Sequence, residues 1–422
     1  MIRARVAPLL LMAVVACATI TPVHGQNKSG QVARFGGPNS VGDTIADDRE
    51  AREPAFRLPS LQDARKNWFE WKDRVQEEHG LALGFDYTAA FLGATESLGD
   101  RRASGGIIRS FGYWDLLGRG TANTGAFVWK LEHRHRYGNS APNALASNIG
   151  YAGVFEAPFS DQGFRVTNLY WRQRFDGGRS TITGGFLDTT DYVDTFALAS
   201  PWTGFMNFAF STGSTTIPVP DDATLGIAGA TMLGESYYLI AGLTNANADP
   251  TSPFSEVGSF FDDNEYFTSI EVGWTAAQSR IYFDNAHVTL WHADQRQNAG
   301  VPEGWGAAFS LVRYLDERWM PFVRGGYADD GGTLMEKSIS VGVGYDVVPK
   351  RGLLAFGFNW GRPNKNTFAP GLSDQYALEF FYRMNLTEQF TLTPDIQFVK
   401  NPALNPTEDS IWVFGLRVRL AI

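Results

Sequence analysis

Between Ala126 and Tyr137 the chain alternates two kinds of side chain. Lys130, Glu132, Arg134 and Arg136 share one parity, and Phe127, Trp129 and Leu131 share the other. In an extended strand the two sets face opposite ways. A mixed-charge row of this kind suits recognition of polyhydroxylated solutes. Carboxylates accept hydrogen bonds, guanidinium forks donate them, and a nearby aromatic face covers the C–H surface of a sugar ring. The same phase puts Arg109, Arg172, Arg174 and Glu271 on the polar side of their segments. Near the carboxyl end it does so for Glu379 with Arg383 and for Arg417 with Arg419. These residues are candidates to line a lumen, where diameter and lining groups set selectivity. For any one of them the plain alternative is pairing across strands in a wet interior.

A second cluster lies in residues 189–223, a stretch too long for a simple connector. It carries Trp202, Phe205, Phe208 and Phe210. So much apolar area does not stay in water, so the stretch is expected to fold inward as a constriction, or to pack between neighbouring copies. Asp188, Asp191 and Asp194 near its start could meet sugar hydroxyls or a cation, although no calcium-loop motif completes the spacing. Of the histidines, His133 and His135 fall on the apolar face of their strand, where a rim position suits them better than a metal. No nucleophile elbow, phosphate loop or zinc-binding histidine pattern is present. The expectation is therefore no metal, no cofactor, no nucleic-acid partner and no enzyme.

The elements that position these groups read as strands. After Gly80 the period is two and stays two to the last residue: Leu81, Leu83, Phe85, Tyr87 and Phe91 alternate with small or polar neighbours, as do Ile339, Val341, Val343 and Tyr345. About sixteen segments follow this rule, an even number, separated alternately by short links and long loops. That is the layout of an all-β, sixteen-stranded antiparallel transmembrane β-barrel, with short turns on the periplasmic side and both termini there. Strand limits are least certain at Tyr113–Leu116 and at Asn207–Phe210, and one strand is expected over 280–291. The final strand alternates apolar residues from Trp412 to Ile422. Its Arg417 and Arg419 must face inward, because arginine on the lipid face is costly.

Ahead of the barrel, residues 1–25 have the basic, apolar and small-residue zones of a cleaved signal peptide, with the cut before Gln26. The single cysteine, Cys17, lies within it and ends a run that could also be a lipoprotein box. Residues 26–60 read as a flexible segment, and 61–80 as a short periplasmic helix with Leu61, Trp68, Trp71 and Val75 on one face. The barrel then occupies 81–422. Aromatics at 14%, 45 glycines and a mean hydropathy of −0.19 exclude a helical membrane protein.

From about Leu61 onward the chain resembles the carbohydrate-selective porin family of the OprB type. The resemblance rests on Asn67-Trp68-Phe69-Glu70-Trp71, Gly185-Phe186-Leu187-Asp188, Phe322-Val323-Arg324-Gly325-Gly326-Tyr327, Leu378-Glu379-Phe380-Phe381-Tyr382-Arg383 and Leu392-Thr393-Pro394-Asp395. It departs from the family where Gly-Phe-Leu-Asp replaces a motif with a basic residue, and in ending on Ile422 where an aromatic residue is usual. The resemblance implies an outer-membrane channel through which sugars diffuse passively, contact with outer-membrane lipid, assembly through the terminal strand by the barrel assembly machinery, and possible homo-oligomers. A weakly selective general porin and a surface-binding barrel remain the alternatives.

Overall fold

The computed structural model describes residues 35–50, 52–56, 59–348 and 352–422. The expected signal segment, with Cys17, lies outside the described residues, as does the start of the 26–60 segment.

Sixteen strands follow one another around the wall. They are β1 (Leu81–Ala94), β2 (Arg102–Leu117), β3 (Gly125–Arg136), β4 (Gly163–Phe175), β5 (Ser180–Leu187), β6 (Thr224–Leu233), β7 (Tyr237–Asn245) and β8 (Tyr266–Thr275). They continue as β9 (Asn285–Ala293), β10 (Gly304–Val312), β11 (Trp319–Asp330), β12 (Met335–Val348), β13 (Gly352–Pro363), β14 (Gln375–Asn385), β15 (Phe390–Lys400) and β16 (Ser410–Ala421). Each pairs antiparallel with its neighbours in sequence. β1 closes on β16 in a register running from Asp86 opposite Ala421 to Ala94 opposite Val413. Closure leaves no strand edge, as a sheet in lipid requires, since an unpaired backbone group there would find no water.

The period of two decides the faces. On β3, Val128, Lys130, Glu132 and Arg134 are buried inside while Phe127 and His133 are exposed outside. On β16, Arg417 and Arg419 are buried while Trp412, Phe414, Leu416 and Leu420 face outward. His133 and His135 lie on the outer face, and the Tyr87 hydroxyl sits 3.2 Å from His135 Nε2.

Short turns join the strands at one rim. At Asp176–Gly178, φ is 50°, 65° and 86° over three successive residues, a left-handed path that favours the two glycines. Tyr113–Leu116 is continuous strand within β2. Asn207–Phe210 is not strand: the Asn207 side chain accepts from the Ala209 amide at 3.0 Å and tightens Phe208–Phe210 into a 3₁₀ turn. β9 starts later than the expected 280–291, because Asn285 Nδ2 donates to the Ile281 carbonyl at 2.5 Å and Arg280 pairs with Asp284, which holds 278–284 as a turn.

Among the described residues three segments enter the barrel, where the sequence suggests one. The 188–223 connection between β5 and β6 folds inward. So does the 137–162 connection between β3 and β4, whose Leu145, Ile149, Tyr151 and Phe155 are buried with inward Val399, Ile411 and Val413. The third is part of the stretch read as flexible. Ser40 caps a helix, α1 (Val41–Arg49), whose Val41 and Ile45 pack on inward Ala82, Phe111, Tyr113 and Val128. A longer helix, α2 (Pro59–His79), then leads into β1. Gly80, at φ 74°, ends it, and the Trp114 indole donates to the His79 carbonyl at 3.0 Å. Outside the wall, the 246–265 connection folds back over β4 to β6. The Val166 amide donates to the Pro250 carbonyl at 2.9 Å, and Phe254 meets outward Phe186 edge-on.

Candidate pore and constriction

Among the described residues, two large cavities lie along the lumen. The outer one, about 410 Å³, opens among the long loops and is walled by Lys130, Glu132, Arg134, Asp188 and Asp222 together with Trp202. The inner one, about 530 Å³, opens at the short-turn end among Asp43, Asp47, Glu50, Arg383 and Arg419, and Trp202 belongs to its wall as well. Trp202 therefore stands where the two meet.

Its turn is held by arginines from three strands. Arg417 of β16 donates to the carbonyls of Pro201 at 2.8 Å and Gly204 at 2.6 Å, and pairs with Glu156 of the 137–162 connection at 3.2 Å. Arg383 of β14 donates to the Thr203 carbonyl at 3.2 Å. Arg109 of β2 lays its guanidinium 3.6 Å from the centre of the Trp202 ring. Asp86 fixes Arg109, accepting from its Nε at 2.7 Å, and takes a further bond from Arg419 Nε at 2.8 Å. These arginines were expected to line the pore. Arg109 and Arg417 are instead almost wholly buried and spend their donors on the wall and the constriction loop.

Glu379, Glu271 and Asp194 have the same kind of place. Glu379 accepts the amides of Met206 at 2.6 Å and Asn207 at 2.9 Å, so a β14 carboxylate caps the loop backbone. Asp194, at φ 47°, accepts from Arg324 and from the Gly213 amide at 2.5 Å each, and lies 2.8 Å from His287 Nε2. Glu271 takes the Asp194 amide at 2.9 Å and the Thr289 hydroxyl at 2.8 Å. A buried charge persists only when paired or hydrogen-bonded in this way. Asp194 is consequently an anchor for the loop, not a group open to solute.

The groups that do face the outer cavity form a second network. Lys130 Nζ stands 3.5 Å from both Asp188 and Asp191, and Asn168 donates to Asp191 at 2.9 Å. Arg134 bonds Glu132 at 2.7 Å and Asp222 at 2.8 Å, and Arg165 bonds Asp221 at 2.8 Å and Asp222 at 2.6 Å. Burial and the neighbouring Asp191 carboxylate push Asp188 up to about 7, against the pull of Lys130. Arg165 and Arg134 outweigh burial at Asp222 and hold it below the usual carboxylate range. Arg172 and Arg174 flank a small side cavity of about 70 Å³ between β4 and the amino-terminal segment, away from Trp202. Arg136 is exposed at the rim, with Asp161 at 3.1 Å.

In the loop itself, Phe205 and Phe208 reach the outer cavity. Phe210 turns to the wall, where Gly357 makes room: a β-carbon there would lie 2.6 Å from the ring. Sequence reasoning missed Asp86, Glu156, Arg165, Asp222, His287 and Arg324. It also missed the inward 137–162 connection, although its Tyr151, Phe155 and Phe159 give the same aromatic signal that marked 189–223.

A closed sixteen-strand barrel with a loop folded into its lumen and charged rows facing that loop is a porin. The chain matches the model of the carbohydrate-selective porin, OprB family, over residues 120–421, and it belongs to that family. It is an outer-membrane sugar porin. Among solved structures it is similar to Pseudomonas putida OprB at high pH, with TM-score 0.64 and 14% identity over 84% of this chain and 97% of that one. The low-pH structure of the same protein matches with TM-score 0.51 and 12% identity over the same shares. A mutant porin of Rh. blastica matches with TM-score 0.52 and 10% identity over 81% of this chain and all of the other. No curated protein matches the sequence.

Proposed function

We propose that uncharged mono- or oligosaccharides pass down their gradient through the outer cavity, past Trp202 and into the inner cavity, without chemical change. The observation that carries this route is that Trp202 belongs to both cavities, with Lys130, Glu132, Arg134 and Asp188 in the outer wall beside it. Those side chains present donors and acceptors to hydroxyls, while the Trp202 ring, buried between Arg109 and Phe159, shapes the wall where the cavities meet. The route is a channel, not an enzyme. Its short-turn rim and both termini face the periplasm, after cleavage before Gln26, and the terminal strand β16 engages the barrel assembly machinery. Copies of the chain assemble through the outer wall. Liposomes holding the protein should swell faster in glucose than in a charged solute of equal size. Equal rates would leave a general diffusion porin.

A further inference from the structure

The amino-terminal segment crosses the lumen, and the barrel wall is built to receive it. At one end Phe35 is buried among Ala230, Met232, Tyr238 and Ile240 of β6 and β7, and the Tyr282 hydroxyl donates to its carbonyl. At the other, Val41 and Ile45 seat on β1, β2 and β3. Between these walls the Gly37 amide donates to the Asp191 carbonyl, at the root of the constriction loop. Two bonds of 2.7 Å run from Arg419 to the two oxygens of Asp48. A bidentate, charge-assisted pair of this kind fixes position as well as distance.

The segment also forms part of both passages. Asn39 stands in the wall of the outer cavity and Pro38 in that of the inner one. Asp43, Asp47 and Glu50 of α1 and its end line the inner cavity with Arg383 and Arg419. There the segment contributes Asp43, Asp47 and Glu50 with one cation, Arg49, and the wall strands contribute Arg383 and Arg419 with one carboxylate, Asp346.

On these grounds we propose that residues 35–50 are an internal plug that determines specificity. The plug fixes the bore of the inner half of the channel and supplies three of the four carboxylates in its wall, Asp346 of β12 being the fourth, so size limit and cation preference are set there mainly by the amino-terminal segment. The proposal deepens the sugar-channel reading and rests on it for the identity of the solute.

Three variants in planar bilayers and liposomes test it. In a Cys17→Ser chain, Glu50→Cys is the mildest change, and reaction with a bulky thiol reagent should lower single-channel conductance by half or more. Deleting residues 26–50 should at least double conductance, admit larger sugars and weaken cation preference. A full-length Ile45→Asp, Asp48→Lys chain, which places charge on the apolar seat and a cation against Arg419, should behave like the deletion. Folding is checked by far-ultraviolet circular dichroism. Conductance unchanged by labelling, or wild-type conductance and size limit in either folded plug variant, would overturn the proposal. If a plug variant does not fold, the labelled cysteine decides. These currents are carried by potassium chloride, so they stand apart from the sugar reading, which fails separately if wild-type liposomes swell equally in glucose and a charged solute.

Discussion

The guanidinium of Arg109 covers the ring of Trp202 at 3.6 Å, and Asp86 holds that guanidinium from behind at 2.7 Å. A cation over an indole in a dry site contributes about 2 kcal/mol. Because Asp86 belongs to β1 and Arg109 to β2, the ring inherits the rigidity of the sheet, although its own backbone is loop. Arg417 and Arg383 secure the same turn through its carbonyls. The constriction is thus a loop residue with a barrel-wall mounting.

Removing the ring should widen the passage where the two cavities meet. Trp202→Ala is expected to raise single-channel conductance severalfold and reduce the preference for glucose over a charged solute in liposome swelling. Trp202→Phe, which keeps an aromatic face, should retain most of that preference. Wild-type conductance in the alanine variant would take Trp202 out of the path.

Arg417→Ala should cost more stability than its single ion pair suggests. It strands Glu156, which is fully buried, and breaking such a pair from one side typically costs about 3–5 kcal/mol. Urea unfolding in lipid vesicles measures the loss. Arg417→Leu combined with Glu156→Leu removes both charges and should recover most of it, yet leave the Pro201 and Gly204 carbonyls without their donor. Conductance in that double variant should stay noisy while stability returns. If quiet wild-type currents return too, the arginine does not hold the turn.

The charge of the outer cavity should change near neutral pH. Burial and Asp191 raise Asp188 to about 7, so below that pH it is mostly a neutral acid and the wall carries one negative charge fewer. As pH rises through 7 the carboxylate forms and cation preference should increase. A raised carboxyl favours folding most at low pH, below its unfolded value, and this contribution is lost as pH climbs through the folded value. Reversal potentials across a salt gradient from pH 5 to pH 9 should show the shift, and Asp188→Asn should abolish it. A shift of equal size in the asparagine variant would assign it elsewhere.

How far these features are legible in the sequence depends on the range of the interactions behind them. The barrel is legible because side-chain alternation is local: Phe127 outward and Lys130 inward follow from parity alone. The inward turn of Trp202 is legible from apolar area stranded in a long connection. The partners are not, since Arg417 and Pro201 are joined only by closing the barrel, and parity says that Arg417 faces inward without saying that loop carbonyls will use its donors. The plug escapes for another reason. Val41 and Ile45 alone mark the apolar face of α1, too little for a period, and only the Ser40 cap with Asp43 three residues on hints at a helix.

The outer face offers the sharpest check on the register, because the cost of a charge in lipid depends on depth. Phe380 lies mid-strand on β14, exposed and opposite Phe356 and Ile396, whereas Tyr376 occupies the same face near the long-loop rim. Arginine at a bilayer midplane costs a barrel roughly 2–4 kcal/mol and near the interface about 0–1 kcal/mol. Phe380→Arg should therefore unfold at lower urea in vesicles by the larger amount, and Tyr376→Arg by little. The gradient follows from the medium, since the two sites share a strand and a face. Equal losses at both depths would mean that this stretch of wall is covered by protein, as the neighbouring copy in an oligomer would cover it.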